Sequence, residues 1–473
     1  MSWKGKSTMV IQSSIGGPFV DGGGDKVGNE NRGDDAERIR LLGITADRNE
    51  RDLRRIKNSF SFQLGEHLVD SVKSPWKILL LPLTLPRLVI KKIIRKAEKG
   101  AFIEEGVVEE IGGQRNAALF FPTNGVGLGH FTRLLAIARR LREKDPETEI
   151  IFFTTMPALQ ILENQGFASY HLSSKYVFDD MGSKEWNIMC EEIMSLVLKI
   201  HNPKVFVFDG SYPYRGMLDA IKGRRNLKKL WVLRGNFKEG SKSLPKDSIE
   251  HFDKLIFPSD VSNSSGHLDE FGIDSMECGP IVMLDKEELL PRRALFDRLS
   301  IPKNATTAYI QLGAGKINDI KTDMGIILKE LEKYEDVYAI IGESVLGEEL
   351  EYDHPRIRVI REYPNSKYFE SFDFAILAGG YNSYQEAVKF SLPTICLPNM
   401  KTGKDDQRAR AKVAERAGCM IVIDQVNEES LSGVIKLMMD PENRKKMRVA
   451  SEELIGENGA DQVSEYISQC LRT

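Results

Sequence analysis

From Ala117 onward, short runs of apolar residues alternate with segments of helical periodicity. Several of these runs are apolar almost throughout, as is typical of parallel strands that are buried on both faces. A charged stretch from Ile281 to Lys303, which contains two prolines, separates two such series and is predicted to be a hinge. The predicted strands are 117–121, 149–154, 205–209, 230–233 and 254–257 in the first series, and 307–312, 337–341, 357–360, 374–378, 394–397 and 420–423 in the second.

Two successive series of alternating strands and helices indicate two doubly wound α/β domains with a cleft between them. We therefore predict a first domain over residues 111–290 and a second domain over residues 300–473. Residues 1–36 hold eight glycines and few large apolar side chains, so this segment is predicted to be flexible.

Residues 37–110 are predicted to be a helical, basic extension that precedes the first domain. Within it, residues 73–99 carry eight basic side chains and one acidic side chain, beside the apolar run 78–85. That run is too short to span a bilayer, which takes about 20 apolar residues. Two interpretations remain open: a peripheral anchor at an anionic membrane surface, or a helix packed on the main body with its basic face in solvent.

Composition excludes several classes of protein. The chain has 473 residues, 41% of them hydrophobic, and a formal net charge of −3, so it is neither disordered nor a polytopic membrane protein. No global positive charge draws it to nucleic acid, and no nucleic-acid partner is predicted. The five scattered cysteines include no C-x-x-C pair, and residues 1–24 lack the apolar core of a secretory signal. These features predict a protein of the reducing cytoplasm.

The first candidate motif is N-G-V-G-L-G-H at 124–130, which directly follows the first predicted strand and opens a helix. Gly125, Gly127 and Gly129 would let the backbone approach a ligand closely. Because His130 stands where a dinucleotide fingerprint ends in glycine or alanine, a dinucleotide site is disfavoured. An imidazole at the mouth of the cleft can take a proton from a hydroxyl group. The alternative is a histidine that caps the loop.

The second motif is A-G-G-Y-N-S-Y-Q-E-A at 378–387, which follows the strand 374–378 and begins another helix. Backbone N–H groups at such a helix start would point at a diphosphate. Glu386, about one turn into the helix, could accept hydrogen bonds from both hydroxyls of a ribose. The alternative is an ordinary capping box from Ser383 to Glu386. The candidate diphosphate residues are Gly379, Gly380, Asn382 and Ser383.

Three further positions are candidates. Asp406 and Gln407 end the loop after the next strand and suit vicinal sugar hydroxyls, although an acidic helix N-terminus is the plainer interpretation. Gly315, in L-G-A-G-K after the first strand of the second series, could touch phosphate but is not part of a Walker A loop. Asp209 ends a strand on the cleft side and is predicted to be a base or the orienting partner of His130. The chain contains no D-x-D pair, which argues against a metal-bridged nucleotide-sugar site.

Taken in this order and over this distance, the motifs resemble glycosyltransferase family 28. That family includes the N-acetylglucosaminyltransferase that makes the last lipid-linked precursor of peptidoglycan. The resemblance runs from Ala117 to the C-terminus and is most specific over 379–418. It implies the GT-B fold, in which two Rossmann-like domains face a cleft, here preceded by an N-terminal extension.

The resemblance also implies roles for individual residues. Gly380, Asn382 and Ser383 would hold the diphosphate and Glu386 the ribose. Asp406 and Gln407 would hold the donor sugar, and the backbone at 361–363, which includes Tyr363, would read the uracil edge. Leu128 departs from the family, which usually has glycine there, and the first hundred residues match nothing in that enzyme. The acceptor-binding region varies too widely in the family to carry an acceptor over.

The predicted activity is that of a hexosyltransferase. It would move a hexose or N-acetylhexosamine from a nucleotide sugar, linked to UDP, onto an acceptor hydroxyl with inversion, without a metal or other cofactor. His130 is the predicted base, with Asp209 as its partner or substitute. The acceptor would be a glycan, a lipid-linked sugar or a small molecule. Two alternatives are a nucleotide-sugar hydrolase of the same fold and a non-catalytic nucleotide-sugar-binding partner of another enzyme. The basic segment 73–99 favours the transferase, because lipid-linked acceptors lie at membranes.

Overall fold

In the computed structural model, the first described residue is 114. The predictions for 1–36, 37–110 and 73–99, and those for Gly125 and Gly315, lie outside the described residues. The described residues are 114–123, 127–157, 159–178, 181–233, 246–260, 272–313, 320–345, 352–400 and 405–473.

The first half of the described chain forms a seven-stranded sheet in the order β3-β2-β1-β4-β5-β6-β7, and every neighbouring pair is parallel. The strand order reverses between β1 and β4. Ligands of doubly wound sheets bind at such a reversal, outside the carboxyl ends of the strands. The strands are β1 (Arg115–Pro122), β2 (Glu149–Thr154), β3 (Ala168–His171), β4 (Pro203–Asp209), β5 (Lys228–Val232), β6 (Lys254–Pro258) and β7 (Ser275–Cys278).

Helices cover both faces of this sheet, so β1 is buried on each side. Alternate residues of β1 belong to two separate apolar cores: Ala118 and Phe120 pack into one, Leu119 and Phe121 into the other. This double burial explains why the strand is apolar almost throughout. The helices of this half are α1 (Gly129–Lys144), α2 (Gln160–Glu163), α3 (Ser183–His201), α4 (Arg215–Ile221) and α5 (Lys246–Ile249).

The second half forms a six-stranded parallel sheet in the order β10-β9-β8-β11-β12-β13, with its reversal between β8 and β11. Its strands are β8 (Thr306–Gln311), β9 (Val337–Gly342), β10 (Ile357–Ile360), β11 (Phe374–Ala378), β12 (Thr394–Leu397) and β13 (Met420–Val422). The helices that follow the first sheet are α6 (Arg292–Leu299), α7 (Ile320–Leu331), α8 (Tyr381–Lys389), α9 (Gln407–Ala417), α10 (Glu428–Met439), α11 (Pro441–Glu452) and α12 (Gly459–Arg472).

The stretch predicted to be a hinge is partly core. Its first four residues, 281–284, are 2–5% exposed and belong to an apolar cluster that both halves share. The helix α6 follows, and its Leu295 is fully buried in the same cluster. The two halves are therefore joined by apolar packing as well as by the chain.

The last helix, α12, returns to the first sheet. It packs along α1 and also contacts β1, β4 and β7. Its buried residues Val463, Ile467 and Leu471 join the apolar cluster that contains Leu134 of α1. The sequence pattern groups this helix with the second domain, whereas its packing joins it to the first. None of the described helices combines the length and apolar character that a bilayer crossing needs.

Candidate active site

His130 and Asp209 meet where the strand order of the first sheet reverses. Asp209 is the last residue of β4 and pairs with Pro122 at the end of β1. His130 is the second residue of α1, the helix that follows β1. The His130 Nδ1 atom lies 2.7 Å from Asp209 Oδ1. The two strands thus deliver both side chains to the carboxyl edge of the sheet.

This contact favours one tautomer of the imidazole. A carboxylate accepts hydrogen bonds and cannot donate them, so Asp209 favours the neutral form of His130 that is protonated on Nδ1, in which Nε2 is the basic nitrogen. The His130 side chain is 16% exposed, whereas that of Asp209 is 1% exposed. The histidine is therefore the member of the pair that a substrate can reach.

Arg133, one turn along α1 from His130, binds the same carboxylate with two nitrogens. Its Nε donates to Asp209 Oδ2 over 2.8 Å, and its Nη2 donates to Oδ1 over 2.7 Å. Burial alone would raise the pKa of Asp209, but the charges of Arg133 and His130 outweigh burial and hold that pKa below its usual range. Asp209 is thus a charged carboxylate with both oxygens engaged.

The second loop places a helix start opposite this pair. Gly380 is the N-cap residue of α8, no side chain caps the helix, and its first turn holds no acidic residue. Backbone N–H groups in such a first turn, together with the helix dipole, favour an anion. The alternative interpretation of Ser383 and Glu386 as a capping box is wrong. Ser383 lies inside the first turn and its Oγ donates to Gln311 Oε1 over 3.4 Å, while Glu386 accepts from Ser366 over 2.8 Å.

The two neighbouring glycines of this loop have different surroundings. A Cβ added at Gly379 would lie 3.1 Å from the Cβ of Gln407, so α9 packs closely against it. A Cβ added at Gly380 would meet nothing within 4 Å, and the same holds at Gly127 in the first loop. At Gly129 it would meet an Arg133 nitrogen at 3.9 Å. Gly379 therefore serves the packing of the domain, whereas Gly380 borders open space.

Glu386 has an unusual charge balance. Its carboxyl is half-buried on α8, and within the described part of the chain its hydrogen-bond partner is the neutral hydroxyl of Ser366 rather than a cation. Burial raises the pKa of Glu386 to about 7, with the Ser366 hydrogen bond working in the opposite direction. Hydrogen bonds donated by the hydroxyls of a ribose would lower the cost of the charge on this carboxylate.

Asp406 and Gln407 are held by the fold itself. Asp406 is the N-cap residue of α9, and its carboxylate accepts from the backbone N–H of Ala409 over 2.9 Å. Gln407 is 8% exposed, and its Oε1 accepts from the backbone N–H of Asn399 over 2.9 Å. For Asp406 the geometry is that of the acidic helix N-terminus.

Two hydrogen bonds cross between the candidate loops and bring the halves of the site together. The Asn382 side-chain amide donates to the carbonyl of Gly129 over 3.3 Å. Tyr363, just after β10, donates from its hydroxyl to Thr132 Oγ1 over 2.7 Å. Gly129 and Thr132, which flank His130, thus contact the two segments predicted to hold a nucleotide. Asn382 belongs to the predicted diphosphate segment, and Tyr363 belongs to the segment predicted to read the uracil.

Sequence reasoning missed four buried residues that connect these segments. The Tyr381 ring, at the start of α8, contacts two guanidinium groups: that of Arg133 at 5.4 Å and that of Arg410 at 5.7 Å from its centroid. Arg410 in turn binds Asp260, which follows β6 in the first half. One sequence signal was available for Arg133, because it is the single charged residue in the run 131–138, which is otherwise mostly apolar.

Comparison with known proteins supports the architecture. No protein-family model matches the chain, and no curated protein matches it. Among solved structures, the calicheamicin glycosyltransferase CalG4 is 14% identical with a TM-score of 0.53, and it aligns over 76% of this chain and 98% of its own. The spinosyn rhamnosyltransferase SpnG, complexed with thymidine diphosphate, is 13% identical with a TM-score of 0.51 over 76% of this chain and 100% of its own. MurG of Acinetobacter baumannii is 14% identical with a TM-score of 0.49 over 75% of this chain and 99% of its own.

The chain has the GT-B fold. The two doubly wound parallel sheets that the sequence pattern predicted are confirmed, and so is the architecture that the resemblance implied. At these identities the likeness concerns the fold, so the roles of individual residues rest on the geometry above.

Proposed function

We propose that this protein is a glycosyltransferase that moves a hexose or N-acetylhexosamine from a nucleotide sugar to an acceptor hydroxyl. One observation carries the proposal: the His130–Asp209 pair lies beside the uncapped start of α8, and Asn382 bonds the carbonyl that precedes His130 over 3.3 Å. A base and an anion-binding helix start are the two parts that such a transfer needs. The GT-B fold, shared with CalG4 and SpnG, is consistent with it.

In this proposal, His130 is the general base. Its Nε2 takes the proton of the acceptor hydroxyl as that oxygen attacks the anomeric carbon, and Asp209 stabilises the imidazolium that forms. Attack from the side opposite the leaving diphosphate inverts the configuration. Asp209 is the orienting partner rather than the base, because it is 1% exposed and both of its oxygens are bound by Arg133.

The leaving diphosphate would lie at the start of α8. Negative charge grows on it as the glycosidic bond breaks, and the backbone N–H groups at Gly380, Asn382 and Ser383 together with the helix dipole would stabilise that charge. This supplies electrostatic stabilisation without a metal ion. Glu386 would accept hydrogen bonds from the ribose of the donor.

The choice of UDP and the sugar contacts belong to the same proposal. The backbone around Tyr363 would read the uracil edge. The Tyr363 hydroxyl donates to Thr132 of α1, the helix that carries His130. Gln407 would contact the sugar, supported by Asp406 as the cap of its helix. The peripheral membrane contact is proposed on the sequence of residues 73–99, and the cytoplasmic location on the scattered cysteines.

The deciding experiment incubates the full-length protein with a panel of labelled UDP-, TDP- and GDP-sugars, with and without a membrane lipid extract. Label transferred to an acceptor supports the proposal. Free sugar formed equally in both conditions identifies a hydrolase, and binding without turnover identifies a non-catalytic partner. His130→Asn, run in parallel, separates turnover at this site from a contaminating activity.

A further inference from the structure

Three atoms form a tight triangle in the candidate active site. Arg133 Nη2 lies 2.7 Å from Asp209 Oδ1 and 2.9 Å from His130 Nδ1, and His130 Nδ1 lies 2.7 Å from the same oxygen. Arg133 and Asp209 are 2% and 1% exposed. The guanidinium therefore contacts both members of the proposed catalytic pair, in a place from which water is largely excluded.

The charges in this triangle oppose one another. A buried carboxylate beside an imidazole favours the imidazolium, which cannot accept a proton. A guanidinium bound to both carboxylate oxygens offsets that negative charge. Its own positive charge, 2.9 Å from Nδ1, also disfavours a second cation on the ring. A further titratable group that packs against this cluster is Tyr381 of α8, whose ring lies 5.4 Å from the Arg133 guanidinium. Burial raises the pKa of Tyr381, so its hydroxyl stays neutral.

We propose that Arg133 is a positioning residue that holds Asp209 in place and keeps His130 neutral, with Nε2 ready to accept a proton. The catalytic meaning of this role rests on the function proposed above. The electrostatic relationship itself is a property of the unliganded protein, so it can be measured without knowing the donor or the acceptor.

The chain offers a matched control in Arg410. This arginine is also fully buried, also binds an aspartate with its Nε, at 2.7 Å from Asp260 Oδ2, and also lies against the Tyr381 ring. It differs from Arg133 in that its aspartates are Asp260 and Asp405 rather than the partner of His130, and in that it also donates to the carbonyl of Gly379 over 2.8 Å. Loss of either arginine removes a cation from a buried carboxylate, so both substitutions should lower the melting temperature.

The test follows the histidine ring signals of full-length protein by NMR, with ring-labelled histidine, across a pH titration. The chain has seven histidines, and the signal of His130 is assigned by its loss in His130→Asn. The neutral parent should show the tautomer protonated on Nδ1. In Arg133→Gln the titration midpoint of His130 should move to higher pH, whereas in Arg410→Gln it should stay in place.

An unchanged or lower midpoint in folded Arg133→Gln would overturn the proposal, and so would an equal rise in Arg410→Gln. If Arg133→Gln does not fold, Arg133→Lys keeps a cation for Asp209 but cannot span both oxygens and Nδ1. The midpoint should then rise as well, and a midpoint equal to that of the parent would overturn the proposal. Because no nucleotide sugar is present, these results stand apart from the transfer assay, whose failure would remove the proposed function alone.

Discussion

The side-chain amide of Asn382, in the second domain, donates a hydrogen bond to the backbone carbonyl of Gly129, in the first, over 3.3 Å. Gly129 immediately precedes His130, and Asn382 lies in the first turn of α8. The proposed base and the proposed diphosphate site are therefore held in register by a direct polar contact between the domains. Substitutions on either side of this contact should separate turnover from donor binding.

Replacing His130 with asparagine should lower turnover by about 100- to 10,000-fold, because asparagine cannot accept the proton of the acceptor. Nucleotide affinity should stay close to that of the parent, since the donor contacts lie in the other domain. Steady-state kinetics and calorimetric titration with UDP measure the two quantities separately.

His201 is the matched control for His130. Its Nδ1 also lies 2.7 Å from a carboxylate oxygen, that of Glu149, but at the amino edge of the same sheet. His201→Asn should reduce thermal stability and leave turnover largely intact. If His130→Asn and His201→Asn lose turnover alike, the effect is structural and His130 is not the base.

Glu386 should make nucleotide binding depend on pH. With its pKa at about 7, the carboxyl is mostly protonated at pH 6 and mostly charged at pH 8, so affinity should weaken as the pH falls through this range. In Glu386→Gln the contribution of this group disappears, and affinity at pH 8 should fall roughly ten- to a hundredfold. UDP is titrated into both proteins over the same pH range. Protonation of the phosphate affects both equally, so the difference between the two affinities reports on Glu386.

The same carboxyl should influence stability in the opposite sense. Its pKa in the folded protein, about 7, lies above its ordinary value of 4.5, so its contribution is full below pH 4.5 and is lost as the pH rises through 7. Glu386→Gln should therefore raise the melting temperature of the unliganded protein at pH 8 and change it little at pH 4. An equal effect at both pH values would show that Glu386 does not titrate in this range.

Gly379→Ala and Gly380→Ala should have different consequences although the residues are adjacent. The added methyl group at Gly379 presses on Gln407 at 3.1 Å, and such overpacking typically destabilises by about 1–3 kcal/mol. At Gly380 the methyl group enters open space, so the melting temperature should barely change. It would, however, obstruct a diphosphate at the start of α8, and UDP affinity should fall about tenfold or more. Unaltered UDP binding by Gly380→Ala would place the diphosphate elsewhere.

The contact of residues 73–99 with an anionic membrane surface remains a prediction from the sequence. The local charge of +7 beside an apolar run should bind anionic vesicles, with each basic residue near the surface contributing about 1 kcal/mol. Flotation of the full-length protein should decrease as salt is added. A variant with the eight basic residues changed to glutamine keeps the apolar run and should lose flotation. Flotation equal to that of the parent would contradict an electrostatic anchor.

Most of the fold follows from the pattern of apolar runs, because central parallel strands are buried on both faces. The runs at 149–154, 357–360 and 394–397 match β2, β10 and β12 at both ends. The strands β3 and β7 were missed. They are four residues long, lie at the two edges of their sheet and are mostly only partly buried, so their sequences lack an apolar run.

The part of the candidate site that follows the two strands at the reversal of the first sheet, β1 and β4, could be predicted from the sequence. His130 and Asp209 are such residues, and their contact needed only parallel pairing of β1 with β4. The capping box failed because α8 starts at Tyr381, two residues before Ser383. Arg133 could not be assigned a partner from sequence, since Asp209 lies 76 residues away and the contact depends on the register of both strands.

The helix α12 makes the order of synthesis matter for this protein. The ribosome emits β1 to β7 first, then the entire second sheet, and only then the helix that covers α1 and contacts β1 and β4. Until residues 459–472 emerge, the apolar surface that receives Val463, Ile467 and Leu471 stays open to water. The first domain therefore cannot complete its core as an autonomous unit during translation, and the nascent chain must keep that surface from aggregating while the second domain is made.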